Sequence, residues 1–301
     1  MALNRRQMLV ASGAALLGSS AMSQIVRADD KDKGPAKKVL FFTKSQTFQH
    51  DPIARKDGKL GQAEQILVDL GKKWNIEVVP SKDGTMFDPD KIGQWDAFVF
   101  YTTGDLTKDG PHHDGPPMSP EGKKAFLDAI KSGKGFVGVH SATDTFHSKG
   151  SDVDPFVEMI GGEFISHGDQ QKVKLDIIDA KFPGVSGFGS GAFEITDEWY
   201  AQKNQPDDLH VIIAHDTSTF PKKEGGNKVY DRPNFPQTWT RSHSKGRVFY
   251  TSMGHRSDVW DNPAYQDLVI NALSYVLGKG ELDVKPNVKT ATPDFHTLHK
   301  G

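Results

Sequence analysis

The first half of the chain alternates short apolar runs with a segment of helical periodicity. The run at residues 39–43 is continuously apolar, which is typical of a strand buried on both faces, and the runs at 76–80 and 97–101 are predicted as the second and third strands. Between the first two runs, apolar residues recur at helical spacing over residues 60–70, and Gly71 is placed to end that helix. The pattern predicts a strand–helix–strand unit followed by a third strand.

A second helix is predicted to begin after Ser119, which is a good N-cap, with Pro120 in the first helical position. It runs to about Lys131 and precedes an apolar strand at residues 135–139. Strands and helices that alternate at this spacing favour right-handed crossovers and a mostly parallel sheet with helices on both faces.

The second half changes character. Polar and apolar residues alternate over 172–178, as in a half-exposed antiparallel strand. A last helix is predicted at 263–277, stopped by Gly278, before an extended tail at 279–301 that either packs on the body or is disordered. Four further short strands are expected, at 192–195, 209–214, 237–240 and 247–251, and two Pro- and Gly-rich loops, 103–117 and 217–234, are interpreted as solvent-exposed connections.

The amino terminus has the form of an export signal. Arg5 and Arg6 precede a short, weakly apolar stretch, and a small-residue cleavage site ends at Ala28. The stretch is shorter than the roughly 20 residues of a membrane span. We therefore expect a twin-arginine signal at residues 1–28, a polar linker at 29–37 and a periplasmic or secreted mature chain without a transmembrane segment. A retained anchor is the alternative.

Composition excludes some functions. The 301 residues contain no cysteine, which excludes a thiol nucleophile and any reliance on disulfides. The first 28 residues hold three arginines and no other charge, which leaves 34 basic against 39 acidic residues in the mature chain. No basic block stands out, so the chain lacks the footprint of a nucleic-acid binder. One large α/β domain and two smaller ones are both compatible with this length.

Residues 138–142, Gly-Val-His-Ser-Ala, have the pattern of a nucleophile elbow at the end of the strand 135–139. Such a turn projects one side chain from the carboxyl end of a buried strand, and small neighbours are needed because the backbone is tight there. His140 takes the place that serine or cysteine occupies in related turns, and Ser141 follows it.

Polar residues follow several other predicted strands, and ligands bind at the carboxyl ends of strands in open parallel sheets. His50 follows the first strand, Thr103 and Asp105 follow the third, and His255 with Arg256 follows the strand at 247–251. His140, His255, His50, His167 and Glu198 are the candidate catalytic residues, and Ser141, Thr103, Asp105, Tyr200, Trp239 and Arg256 are candidates for binding substrate.

Histidines and carboxylates together suit zinc, manganese or iron, and His140, His167 and His255 are the candidate ligands of a divalent metal. The same groups would serve equally as general acids and bases. His215 is left undecided. The remaining histidines are interpreted as structural or solvated: His112, His113, His147, His210, His243, His296 and His299.

Four segments together resemble the ThuA-like (trehalose-utilisation) family: residues 133–142, 161–167, 197–200 and 245–255. Their order and spacing match over about residues 38–278, the expected ThuA-like domain. The resemblance implies a flavodoxin-like, doubly wound, mostly parallel α/β sheet with added antiparallel strands, of the class I glutamine amidotransferase-like type, with His140 in place of the usual cysteine. One departure is Phe182-Pro183, where the family usually has His-Pro.

The resemblance implies a role beside the oxidation of disaccharides to 3-keto sugars, as an isomerase, lyase or hydrolase acting on keto-glycosides. A 3-keto sugar has an acidic C–H beside its carbonyl. His140 and His255 would lie near that carbonyl, with Glu198 or His167 as the proton-transfer partner, and a metal or a histidine cation would steady the enediolate oxygen. The alternatives are a non-catalytic sugar-binding module that uses Trp239 and Tyr200, and a metal-dependent esterase or amidase. A small carbohydrate is the expected partner, and homo-oligomers are compatible with the sequence.

Overall fold

A nine-stranded mixed sheet forms the body of the protein in this computed structural model, which describes residues 34–112, 114–221 and 228–298. The order in the sheet is β2-β1-β3-β4-β11-β10-β9-β6-β7, while β5 and β8 form a separate antiparallel ribbon. The strands are β1 (Lys37–Phe42), β2 (Ile76–Ser81), β3 (Ala97–Phe100), β4 (Gly135–Val139), β5 (Glu163–His167), β6 (Gln171–Ile177), β7 (Ala192–Asp197), β8 (Tyr200–Lys203), β9 (His210–His215), β10 (Phe235–His243) and β11 (Gly246–Thr251).

The first five strands of that order, β2 to β11, pair in parallel, and the rest of the sheet is antiparallel. An order of 2-1-3-4-5 for the parallel strands is that of flavodoxin-like folds. This confirms the predicted fold class. The helices are α1 (Gln62–Lys73), α2 (Pro120–Lys131), α3 (Pro155–Ile160), α4 (Ser257–Asp261), α5 (Pro263–Val276) and α6 (Val288–Ala291).

Helices cover both faces of the parallel strands. Phe136 of β4 packs edge-on against Phe126 of α2, with ring centroids 5.8 Å apart. The neighbouring Gly135 faces Val276 at the end of α5, whose carbonyl oxygen would lie 2.5 Å from a Cβ at this position. Adjacent residues of a strand point to opposite faces, so α2 and α5 lie on opposite sides of the sheet. Strands β3 and β4 are buried throughout and β1 over most of its length, whereas Glu77 of the edge strand β2 is exposed.

Gly71 does not end its helix, contrary to prediction. Helix α1 continues to Lys73, and a Cβ on Gly71 would lie 2.7 Å from the carbonyl oxygen of Ile76 and 2.8 Å from Cγ2 of Val78. The glycine is therefore explained by close packing of α1 against β2. Gly278, in contrast, has φ +80 and follows the last turn of α5, as expected.

The tail packs on the body as far as it is described. The side chain of Asn287 accepts from the backbone N–H of Val211 and donates to its carbonyl, and Val288 and Phe295 are buried. Helix α6 makes the tail less extended than predicted. The two loops also differ from the prediction of solvent exposure, because Leu106 and Tyr230 within them are buried in the core.

Several sequence predictions lie outside the described residues: the signal at 1–28, most of the linker at 29–37, His113 and His299. Among the helices that are described, none combines the length and apolarity that crossing a membrane requires.

Candidate active site

His140 lies in a strained turn at the end of β4, where the elbow pattern predicts it. Its φ is 45°, a left-handed value that is uncommon for a residue other than glycine. The Tyr250 hydroxyl donates to the His140 carbonyl over 2.7 Å, and Nδ1 of the buried His140 ring lies 2.8 Å from the Ser252 carbonyl oxygen. A carbonyl can only accept, so Nδ1 carries a proton and Nε2 is directed elsewhere. A Cβ on Gly138 would lie 2.8 Å from Ile160 Cδ1, which explains why this position of the elbow is a glycine.

A second turn, after β11, positions His255. Gly254 has φ +119, and a Cβ there would lie 2.5 Å from the Tyr265 hydroxyl. The carboxylate of Asp197 accepts from the backbone N–H groups of Gly254 (2.7 Å) and Arg256 (3.2 Å). Burial raises the pKa of Asp197, although the nearby histidines and these hydrogen bonds oppose the shift. Asp197 thus holds the turn and has no exposed surface.

Glu198 joins the two turns. Its Oε2 lies 3.5 Å from Nε2 of His140 and 3.2 Å from Nδ1 of His255, and these two nitrogens are 3.3 Å apart. The other carboxylate oxygen, Oε1, lies 3.2 Å from Nδ1 of His167, whose side chain is 41% exposed. Burial acts to raise the pKa of Glu198, but hydrogen bonds from His140 and His255 outweigh it and hold that pKa well below its usual range. Glu198 is therefore ionised at working pH.

His50 completes the group from the loop after β1. Its ring centroid lies 4.7 Å from that of His140 and 5.0 Å from that of His255. The residue is buried, and Nδ1 has no hydrogen-bond partner within the described part of the chain. Burial, together with the neighbouring histidines, lowers the pKa of His50 well below the usual value, so the ring is neutral.

Four side chains are close enough to share one ion. His50, His140, His255 and Glu198 each offer a ligand atom, and these atoms lie within 4.8 Å of one another. The set differs from the predicted ligands His140, His167 and His255: Glu198 and His50 belong to it, and His167 stands outside on the far oxygen of Glu198. Three imidazoles and a carboxylate suit zinc, iron or manganese.

Of the predicted substrate-binding residues, Ser141 and Tyr200 are next to the cluster. The Tyr200 ring centroid lies 4.4 Å from that of His140, and the Ser141 hydroxyl is buried without a partner in the described residues. The Thr103 hydroxyl donates to the Phe48 carbonyl, and Asp105 is bonded to Thr107 in its own turn. Thr103 and Asp105 therefore stabilise the loops around the site through these hydrogen bonds.

Trp239 requires a correction, because its side chain has no exposed surface and its indole N–H donates to the Ile160 carbonyl. A ring buried on all sides cannot stack on a sugar. Tyr200 is 4% exposed and offers little more surface. Tyr200 is thus part of the wall of the cluster, and Trp239 belongs to the core.

A cleft of about 410 Å³ opens beside His255. Phe48 lies at its edge with 62% of its surface exposed. Arg256 also lines the cleft, where its guanidinium pairs with Asp258 (2.8 Å) and donates to Gln170 (2.8 Å). The other lining residues are Asp51 and Ser257. Sequence reasoning missed Phe48; an aromatic residue in an otherwise polar loop after β1 was the available signal.

The remaining described histidines lie apart from the cluster. His147 contacts Asp144 and Glu163, His210 contacts Asp179, and His296 contacts Asp207. His215 is fully buried among Trp199, Phe220 and Phe235. These contacts agree with structural roles.

Fold and site together define a flavodoxin-like α/β protein in which a histidine stands at the elbow after β4. The family model described as ThuA, trehalose utilisation, matches residues 38–276, and the chain belongs to this family.

Solved structures with this fold are also similar. A putative ThuA-like protein from Bacteroides uniformis is 20% identical, with a TM-score of 0.62 over 86% of this chain and 98% of its own. One from Parabacteroides merdae is 18% identical, with a TM-score of 0.56 over 87% and 99%. Likeness at this level of identity supports the fold alone. No curated protein matches the sequence.

Proposed function

We propose that this protein is a carbohydrate-processing enzyme that moves a proton on a 3-keto sugar or keto-glycoside, as an isomerase, lyase or hydrolase. The observation that carries the proposal is the joining of His140, His255 and His167 through one ionised carboxylate, Glu198, beside an open cleft. Buried titratable groups gathered at strand ends are typical of catalytic sites.

The reaction needs a base for the C–H next to the carbonyl and positive charge for the enediolate oxygen. His167 fits the first role, because its imidazole is partly exposed and the Glu198 carboxylate can stabilise the imidazolium that forms. Glu198 itself is the weaker candidate, since its lowered pKa makes it a poor proton acceptor. The positive charge for the enediolate oxygen would come from His140 and His255, on the buried side of the cluster.

The cleft supports a sugar as substrate. An exposed aromatic ring, Phe48, offers an apolar face to a sugar ring, and the carboxylates, amide and guanidinium of the other walls suit hydroxyl groups. The competing candidate is a sugar-binding module without chemistry. Phe48 supports a binding module as well as an enzyme, so only variants of the histidines distinguish the two hypotheses.

Hydrogen–deuterium exchange at the C–H beside the carbonyl tests the proposal. A 3-keto-glycoside is incubated with the protein in D2O and followed by NMR, which detects proton removal whatever the final product. Wild-type protein should accelerate exchange, and His167→Gln should lower the rate by about 100-fold or more. His296→Gln, an exposed histidine paired with Asp207, is the matched control and should keep the wild-type rate.

If the protein binds the 3-keto-glycoside but does not accelerate its hydrogen–deuterium exchange, the proposed chemistry is wrong and the sugar-binding module remains. Phe48→Ala would then weaken sugar binding while His167→Gln would not. Turnover of simple chromogenic esters without any keto group would favour a metal-dependent esterase or amidase instead.

Export through the twin-arginine route belongs to the same proposal. It depends on Arg5 and Arg6 in the sequence. Cell fractionation of the wild type and of a variant with both arginines changed to lysine tests it. Periplasmic protein in both, or in neither, contradicts the proposal.

A further inference from the structure

Three donor atoms of the cluster form a nearly regular triangle. His140 Nε2, His255 Nδ1 and Glu198 Oε2 are separated by 3.3, 3.2 and 3.5 Å. Four ligands arranged tetrahedrally at the usual zinc–nitrogen and zinc–oxygen distances stand roughly 3.3–3.4 Å apart. All three edges of the triangle are close to that spacing.

Three groups that can offer a lone pair meet in this triangle. The Ser252 carbonyl occupies Nδ1 of His140, so Nε2 is the ring nitrogen that faces Glu198, and His255 Nδ1 lies close to both groups. Lone pairs that converge on one point repel one another unless a proton or a cation lies between them, so the triangle can hold either.

The surroundings have the form of a second ligand shell. A metal-bound histidine usually donates its other ring N–H to a carbonyl or carboxylate, which fixes the tautomer and the ring orientation. The bond from His140 to Ser252 does this, and Tyr250 and Asp197 hold the backbone of the turns that carry His140 and His255.

A fourth donor comes from an independent element. His50 is 2% exposed, its Nδ1 lacks a partner within the described residues, and it offers a ligand atom within 4.8 Å of the other three. A buried ring nitrogen without a partner is destabilising, and an ion held by this ring would offset that loss.

We propose that His50, His140, His255 and Glu198 bind one divalent transition-metal ion, with zinc as the first candidate and manganese or iron as the others. The inference concerns the site of the proposed function but does not depend on its substrate. His167 stays outside the metal set and remains available to carry a proton. A metal here would supply positive charge for an enediolate oxygen.

Metal analysis and titration test the site. The untagged full chain is purified without chelator, its metal content is measured by mass spectrometry, and the chelator-stripped protein is titrated calorimetrically with Zn²⁺, Mn²⁺ and Fe²⁺. We expect close to one equivalent and saturable binding of at least one ion. His50→Ala, His140→Ala and Glu198→Gln should each weaken binding by more than about 10-fold, a loss that even outer-shell changes can cause.

His296→Ala is the matched control and should leave stoichiometry and affinity unchanged. Circular dichroism and the visible absorption of bound Co²⁺ separate loss of a ligand from loss of the fold. Absence of metal in the purified protein together with absence of binding heat would overturn the proposal, and so would unchanged affinity in the three ligand variants. No sugar is present in this experiment, so its failure leaves the proton-transfer function standing, and the reverse holds as well.

Discussion

The carbonyl oxygen of His140 accepts a 2.7 Å hydrogen bond from the hydroxyl of Tyr250. Tyr250 lies on β11, next to β4 in the sheet, and its hydroxyl also receives the side-chain amide of Gln202 (2.9 Å). A residue with φ 45° is strained, so it stays in place only where its surroundings fix it. The strand pairing thus supports the turn that carries His140.

Tyr250→Phe should lower the free energy of unfolding by about 1–3 kcal/mol, because it leaves a buried carbonyl without its donor. Urea denaturation measures this change. Tyr275→Phe is a substitution of the same size on α5, away from the elbow, and should cost less. Equal stability of Tyr250→Phe and wild type would show that the elbow does not need this bond.

Asp197→Asn should destabilise the turn that carries His255. The amide replaces one carboxylate oxygen by a donor, so one of the N–H groups of Gly254 and Arg256 loses its acceptor. We expect a loss of about 1–3 kcal/mol in unfolding free energy and faster amide exchange at Gly254. The control is Asp258→Asn, an exposed carboxylate whose loss should cost less than about 1 kcal/mol.

His215 should make the protein sensitive to acid. Burial, with a smaller effect of the Arg232 charge, lowers the pKa of His215 to about 3. In the unfolded chain this ring titrates near 6.5, so between these values the unfolded state binds the proton. Its contribution to stability is complete above the unfolded value and is lost as pH falls, by up to about 1.4 kcal/mol per pH unit.

Denaturation of His215→Phe between about pH 6 and pH 4 should therefore show a shallower loss of stability than wild type. His210→Gln is the matched control. Burial opposes the shift, but contact with Asp179 raises the pKa of His210, so this ring is charged in both states below pH 6.5 and adds no slope there. Parallel curves for wild type and His215→Phe would contradict the prediction.

Gly71→Ala should have two opposing effects on the stability of the protein. Alanine is about 1 kcal/mol better than glycine within a helix, but the new Cβ would lie 2.7 Å from the Ile76 carbonyl oxygen. Backbone cannot move aside as a side chain can, so we expect net destabilisation of about 1–3 kcal/mol by thermal or urea unfolding. Gly93→Ala, where a Cβ would meet nothing within 4 Å, should be close to neutral. A more stable Gly71→Ala would show that α1 can shift away from β2.

Local pattern predicted the elements well. Continuous apolar runs predicted the central parallel strands β1, β3 and β4, because a strand covered by helices on both faces has no polar side. The elbow pattern at 138–142 predicted the turn at His140, since small residues on both sides leave room for its left-handed backbone. The ribbon of β5 and β8 was missed, because each strand is four or five residues long and lacks a regular alternation.

Site membership was harder to predict. The strand-end rule selected His140 and His255, whose ring nitrogens lie 3.3 Å apart, but it also selected Thr103 and Asp105 as substrate-binding residues, and their side chains bond within the loops. Trp239 illustrates the same limit. The position of Trp239 on a strand predicts that one face of its ring is buried. Only its contacts with Ile160 and Tyr250 show that no face of the ring is open to solvent.

The sequence by itself determined the parallel strands, the helices α1, α2 and α5 and the turn that carries His140, because these depend on patterns among residues near one another in the chain. The order and spacing of four motifs indicated the fold family. Only the tertiary structure decided that His50, about 90 residues before the elbow, and Glu198, after β7, meet His140 and His255. Distances between side chains depend on how the strands pair and on how each loop closes. That is also why Gly71 and Trp239 have packing roles that their positions in the sequence do not reveal.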